Sequence, residues 1–524
     1  MSFPTPDLES LRRSWSRLVY DLSERAFAAI PMDRKLVEID LDAWLSEAGH
    51  ALGPQFAPKG MSTIDVPKAG GTTRPGSLLT MEDRLAYTYY LGACFPRIRE
   101  AVHWARNVVD YSYPLASGDE ATKWVKNAFE GWRAFRERSL ELLSEGYTFV
   151  VFSDISGFYE NIDLSILSSD LRSVGVTDAI IRPLSTCLNR WAEPRRRGIP
   201  QGATPSDILA KLYLNNIDLA LRDRGMTHLR YVDDYRLFCS SRVEAKRALV
   251  LLSELLRNRG LNVQSAKSQI VSAEQARLVI DGVQPMIQGF ARRLSRRKTV
   301  IAQDIEYLGE GLAAFPPKSH KPSDAETLRV AFDDFFGPGS SKDFNRTLFH
   351  FLLERLGQSR DRHGLDSTLR FLISNPEETS AILKYVGLVA GPGPVDAIAD
   401  DLLDPEKQAY EYQAWQYLSW RLAFQDVVPN EVLHFVRRIA FGGNMSGPVW
   451  TSAVDLLGSC GEPQDFEQIE AAYAKCPEAL ARAHLICAMR RQEKGRRNNF
   501  YARCASDGSM EGRAVAWVKQ SGIH

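Results

Sequence analysis

Two adjacent aspartates, Asp233 and Asp234, interrupt the apolar stretch "LRYVDDYRLF" (229–238). Leu229, Tyr231 and Val232 lead in and Tyr235, Leu237 and Phe238 lead out, a pattern that predicts strand, turn, strand with the acid pair at the tip. Neighbouring carboxylates repel, and a divalent metal between them is the usual remedy. Aspartate is also a common turn residue, so the pair alone fits an acidic hairpin equally well. A third acid stands upstream. "FVVFSDISGFYENID" (149–163) is an apolar strand that delivers Asp154 at its end, where it either joins the pair in a three-acid metal site or caps the following helix. Between these motifs lies "RRRGIPQGATPSDILAKLYLNNID" (195–218). Its Gly198, Pro200, Gln201 and Gly202 form a loop whose backbone can approach a ligand closely, ahead of a long apolar-periodic helix.

The elements that must position these residues follow from periodicity. Residues 1 to about 60 read as helices, with apolar positions in "LRRSWSRLVYDLSERAFAAI" at three- and four-residue steps. From about 61 to 285, short strands such as "TFVVFSD" (148–154) alternate with helical stretches such as "VEAKRALVLLSELLRNRG" (243–260), the pattern of an α+β or α/β domain. A connector follows over 286–325, basic at first and ending in the Pro/Ser/Lys-rich "FPPKSHKPSD" (315–324). Residues 326–524 are nearly all helix. "YQAWQYLSWRLAF" (412–424), "GPVWTSAVDLLGSC" (447–460), "LARAHLICAMRR" (480–491) and "GRAVAWVKQ" (512–520) recur every 32 to 35 residues with further helices between. Two helices per period suggest a stacked repeat, with an irregular bundle as the alternative.

Composition narrows the class. The 524 residues suffice for two or three domains, and 44% hydrophobic with 25% charged residues is ordinary for a globular protein. The net charge of zero hides an asymmetry: residues 1–300 carry 41 Lys+Arg against 35 Asp+Glu, and 301–524 carry 24 against 30. The basic half is the candidate for a polyanion. Arg195, Arg196 and Arg197, and Arg292, Arg293, Arg296, Arg297 and Lys298 in "RRLSRRK", suit either a nucleic-acid backbone or a solvated face. The N-terminus lacks the apolar core of a secretory signal, and no run is long enough to span a bilayer, so the expectation is a cytoplasmic protein without membrane contact. Seven cysteines without a CxxC pair indicate neither a disulfide framework nor a zinc knuckle. Cys239 reads as a small core residue.

Asp154, the "GIPQG" loop and "YVDD", in that order and at these separations, resemble the palm motifs of reverse transcriptases. "VPKAGGTTRPGSLLTMEDRLAY" (66–87) resembles the fingers motif, with Lys68, Arg74 and Arg84 as its basic positions. "RGLNVQSAKSQIV" (259–271) resembles the motif after the catalytic hairpin, with Lys267 as its lysine. The resemblance implies an α+β fingers and palm, here followed by an all-α, HEAT-like helical-repeat domain. It implies nucleotidyl transfer from dNTPs with two Mg²⁺ ions, for which Mn²⁺ can substitute, bound by Asp154, Ile155, Asp233 and Asp234. Lys68 and Arg74 would hold the triphosphate with Arg84 beside them. Lys267 would either protonate the leaving pyrophosphate or neutralise it. Gln201 and Gly202 would support the template or the incoming nucleotide, and Tyr159 falls where the family blocks a ribose 2′-OH.

A palm followed by helical repeats is similar to the bacterial abortive-infection, defence-associated reverse transcriptases. That layout implies an anti-phage role, a homo-oligomer, DNA or RNA as partner, and DNA synthesis that is untemplated or primed on a protein tyrosine. Two other readings stay open. One is a retron- or group II-like enzyme copying a defined RNA; the other is a non-catalytic nucleic-acid-binding scaffold. With 18 tyrosines a priming residue cannot be chosen.

Overall fold

The computed structural model describes residues 6–24, 30–52, 56–102, 108–116, 123–125, 128–281, 322–504 and 509–520. The basic run Arg292, Arg293, Arg296, Arg297 and Lys298, and the connector as far as residue 321, lie outside the described residues. The chain divides into two compact units. The first comprises Met1–Phe27, Ala48–Ser62 and Ser77–Pro316, the second Ala28–Glu47, Thr63–Gly76 and Pro317–His524.

The first unit is built on a four-stranded antiparallel sheet of β3 (Phe149–Ser153), β4 (Thr227–Tyr231), β5 (Asp234–Cys239) and β6 (Gln269–Ser272), in the order β4-β5-β3-β6. β-branched and aromatic residues dominate β3, as suits a strand with neighbours on both sides. Side chains alternate across it. Val150 and Phe152 join Leu229 and Phe238 in a cluster closed by Phe135, Leu142 and Leu143 of α5 (Ala128–Ser144) and Ala276 and Ile280 of α11 (Ala273–Asp281). The alternate residues Val151 and Leu237 are fully buried as well, and α10 (Arg242–Arg257) packs on the same two strands. α9 (Thr204–Asp223) packs against β4, α10, α7 (Leu164–Ser173) and α4 (Met81–Val102); α4 also holds α1 (Leu8–Glu24) and α8 (Asp178–Trp191).

Helix starts are secured by polar side chains. Asp163 accepts the main-chain N–H groups of Ser165 and Ile166 to begin α7, and Ser241 accepts that of Glu244 to begin α10. α9 begins with Thr-Pro, and its first N–H is met from a distance: both carboxylate oxygens of buried Asp21 on α1 lie 3.1 Å from the Thr204 nitrogen. The Thr204 hydroxyl donates to the same carboxylate.

In the second unit, β1 (Ser62–Pro67) and β2 (Thr73–Leu78) form a two-stranded hairpin that begins and ends in first-unit residues. Within the unit, the Tyr410 hydroxyl donates to the Gly71 carbonyl at 3.1 Å. α2 (Pro31–Glu38) packs on the helix Met510–Gln520, and Asp33 pairs with His484 at 2.7 Å. The remainder is helical. Glu411–Arg421, Gly447–Cys460, Ala479–Ala488 and Met510–Gln520 each pack on the next, with Asn430–Phe441 and Pro463–Lys475 laid against them. Trp415 and Trp450 are buried, the latter donating to the Ala440 carbonyl. All seven cysteines are free thiols, and Cys239 is buried as its setting in the strand suggested. Among the described residues no helix is long and apolar enough to cross a membrane.

One buried acid gives the first unit a pH dependence. Asp83 of α4 accepts from the Trp191 indole at 3.1 Å and the Lys59 N–H at 3.2 Å, yet burial outweighs these bonds and raises its carboxyl to about 6. The folded chain therefore holds this proton more tightly than the unfolded one. The resulting stabilisation is complete below the unfolded value of 3.8 and is lost as pH rises through about 6. Melting of the parent protein should thus fall relative to Asp83→Asn between about pH 4 and 7; parallel melting curves would rule this out.

Candidate active site

β3 ends at Ser153, whose partner across the ladder is Tyr235. Extended one step past the last pair of the ladder, that register would set Asp154 against Asp234, on the same side of the sheet. On the far side of β5, Tyr231 pairs with Asp234. Val232 and Asp233 are therefore the two turn residues of the β4–β5 hairpin, and Asp234 opens β5: the turn lies one residue earlier than the sequence pattern predicts, because Asp234 still pairs with Tyr231. Val232 sits at φ +55°, a left-handed conformation that strains a β-branched residue by on the order of 1–2 kcal/mol. Asp233 lies close enough to Tyr159 for its charge to act on that phenol.

The segment after α10 runs back along the end of β3. Ser156 N–H donates to Asn262 O at 2.9 Å, Ile155 and Val263 form an antiparallel bridge, and Gln264 N–H donates to Asp154 O at 2.7 Å. A short 3₁₀ turn, Ser265–Lys267, then delivers the Lys267 ammonium to Asp154 Oδ2 at 2.6 Å. The Asp154 carboxylate keeps partial access to solvent, and Lys267 is largely exposed. Ile155 is buried and could ligate an ion only through its main-chain oxygen.

Among the described residues no group of three or more His, Cys, Asp or Glu side chains is gathered to hold a metal ion. The cation that Asp154 faces is Lys267. Carboxylate oxygens are the donors Mg²⁺ prefers, and an ammonium already on one of them marks a place where positive charge is favoured. The donor set fits the ion; its three members would have to draw in around it.

The glycine loop packs against the helix that carries Tyr159, α6 (Phe158–Asn161). Gly198 takes φ +91°, and a Cβ there would lie 2.8 Å from the Glu160 carbonyl oxygen, so only glycine permits this approach. Ile199 N–H donates to Tyr159 O at 2.9 Å. Gln201 is tied through its backbone to Ser77, its N–H donating to Ser77 Oγ at 2.7 Å, while its side-chain oxygen is buried with no hydrogen-bond partner among the described residues. Gly202 also has positive φ, +91°. Arg195 pairs with Glu160 at 3.1 Å and remains exposed. Arg196 takes φ +56°, and the charge of Arg197 helps lower the Asp163 carboxyl after the larger effect of the Ser165 hydroxyl.

Lys68 and Arg74 are carried on the β1–β2 hairpin among residues of the second unit, Lys68 exposed at the turn. Arg84 is buried in α4 and donates from Nε to the carbonyl of Leu79, just before the helix, at 3.1 Å.

Sequence reasoning missed two groups. Asp207, in the first turn of α9, accepts the Tyr159 hydroxyl at 2.6 Å. Burial, and then the Asp207 charge, hold that phenol well above its ordinary value, so it stays a donor. The second is a buried charge cluster beneath the hairpin, in which Arg230 of β4 meets Asp218 and Asp110 while Lys211 pairs with Asp110. Burial would raise the Asp218 carboxyl, but the Arg230 guanidinium and His228 bring it down to about 2. Burial pushes the Lys211 ammonium down, with Asp110 opposing. The only sequence signal was charge inside otherwise apolar elements.

Residues 66–312 match the family described as "Reverse transcriptase (RNA-dependent DNA polymerase)". Solved structures similar in part include the telomerases of Candida albicans (11% identity, TM-score 0.31) and Candida tropicalis (14% identity, TM-score 0.30), both in complex with a TWJ fragment of telomeric RNA. The matches cover 68% and 69% of this chain and span 65% and 64% of those telomerase chains. Comparison with curated proteins finds no match. The stretch that holds Asp154, the glycine loop, the acidic turn and Lys267 is thus recognised as a reverse-transcriptase domain.

Proposed function

We propose that this protein is an RNA-directed DNA polymerase that extends a strand with deoxynucleotides at the acidic centre of Asp154, Asp233 and Asp234. The observation that supports it most is the β3–β5 register, whose last pair, Ser153 with Tyr235, stands one residue from Asp154 on one strand and from Asp234 on the other, with Asp233 in the adjoining turn. In the reaction a strand's 3′-oxygen bonds to the α-phosphorus of a dNTP as the bond to pyrophosphate breaks. Divalent cations held by these carboxylates, Mg²⁺ or Mn²⁺, would supply charge to the attacking and departing oxygens.

The chain's own side chains do the rest. Lys267, largely exposed beside Asp154, neutralises or protonates the departing pyrophosphate. Lys68 offers a point charge and Arg74 a planar fork for the triphosphate. The buried, unpartnered oxygen of Gln201 would accept a hydrogen bond from the templating base or the incoming nucleotide. Tyr159, fixed by its hydrogen bond to Asp207, would block a ribose 2′-OH, the role the family resemblance implies. Arg195, Arg196 and Arg197 follow a nucleic-acid backbone. The helix pairs of the second unit, each packed on the next, support a HEAT-like repeat. The order of a polymerase domain followed by a helical unit supports a role in anti-phage defence and assembly into a homo-oligomer, a reading made by analogy.

Two assays test the polymerase reading. Incorporation of labelled dNTP with Mg²⁺ should fall by at least about 10²-fold in Asp233→Asn/Asp234→Asn and in Asp154→Asn, with melting little changed; incorporation that survives these substitutions would dismiss the assignment. Tyr159→Ala should narrow the preference for dNTP over rNTP by about tenfold or more. Equal discrimination in parent and variant would remove Tyr159 from that role.

A further inference from the structure

We infer that Arg230 is a positioning residue for the acid-bearing turn, acting as the hub of the buried charge cluster rather than by touching substrate. Its side chain is almost fully buried, at 1% exposure. Every edge of the guanidinium is used. Nε donates to both oxygens of Asp218 at 3.1 and 3.0 Å, and Nη2 donates to Asp218 Oδ2 and Asp110 Oδ2, each at 2.7 Å. Nη1 donates to the carbonyl of Val232 at 2.8 Å. That last bond reaches the first residue of the turn, the one held in a left-handed conformation that its branched side chain disfavours.

The anchors of the guanidinium come from two separate places. Asp218 sits on α9, two turns beyond Lys211, whose ammonium fixes the shared Asp110 oxygen at 2.6 Å. His228 Nε2 approaches Asp218 Oδ1 to 3.4 Å. Asp110 is delivered by a short segment lying parallel to β4: Arg230 N–H donates to Val109 O at 2.7 Å, and Tyr111 N–H donates to Arg230 O at 2.9 Å. A planar cation clamped on two edges by carboxylates has one direction left for its third edge, and that direction is the turn. Helix α9 and the 109–111 segment thereby set the backbone from which Asp233 and Asp234 project.

The activity readout rests on the polymerase reading; a second readout does not. In the full-length protein, Arg230→Lys keeps the charge but cannot form the three-edged pattern. We expect it to melt as a folded protein, with kcat for dNTP incorporation reduced about tenfold or more and KM for dNTP within about threefold of the parent. Glycine accepts a positive φ without strain, so in a Val232→Gly background the Arg230→Lys loss should shrink to about a fifth or less of its size. Hydrogen exchange of the 231–234 amides should quicken in Arg230→Lys while the β3–β5 ladder amides keep their rates, whether or not the protein polymerises. If Arg230→Lys does not fold, Asp110→Asn, which loosens one edge only, should show the same pattern more weakly. Unchanged exchange at the turn, or a kcat loss that Val232→Gly leaves undiminished, overturns the inference. A parent protein with no Asp233/Asp234-dependent incorporation sinks the polymerase reading instead, and exchange at the turn then decides this one.

Discussion

The pairing of β3 with β5 is the constraint on which the site depends. Side chains alternate along a strand, so the register that pairs Ser153 with Tyr235 sets how near the following Asp154 comes to the preceding Asp234. A slip of one residue would turn Val150 and Phe152 away from Phe135, Leu142 and Leu143 and expose the core that holds the sheet together. Core packing and acid placement are therefore one requirement, enforced by many apolar contacts rather than by the acids, whose mutual repulsion opposes their own assembly.

Repulsion at the tip is managed by opposite charge supplied from the sequence around it. Lys267 reaches Asp154 only because residues 262–264 bond along the end of β3 and the next turn carries the lysine back toward the strand. Below the hairpin, two cations and two carboxylates are buried together, an arrangement that is stable only while each hydrogen-bonding edge is met. Such clusters add little net stability and much orientation. Losing one member leaves its partners as unpaired buried charges.

What could be read in the sequence was what periodicity and local chemistry encode. The hairpin, the strand before Asp154, the helix after the glycine loop and the helices from 412 onward all have alternating or three-to-four-residue patterns, and each formed where expected. The hydrogen bond from Tyr159 to Asp207 and the ion pairs of Arg230 join residues 48 and up to 120 positions apart; no local pattern reports such a meeting. The bond from Arg84 to the Leu79 carbonyl spans only five positions, yet no motif announces it either. Neither could periodicity announce that residues 63–76 cluster with the C-terminal helices.

The carboxylate that receives the first N–H of α9 has a bearing on how far this domain can be trimmed. Asp21 lies outside the 66–312 stretch that carries the family likeness, yet it closes the start of the helix that bears Asp207, Lys211 and Asp218. A polypeptide cut to the recognisable stretch would leave the Thr204 amide and hydroxyl without their acceptor, next to the glycine loop. The opening helix is thus a structural part of the first unit rather than an appendage to it.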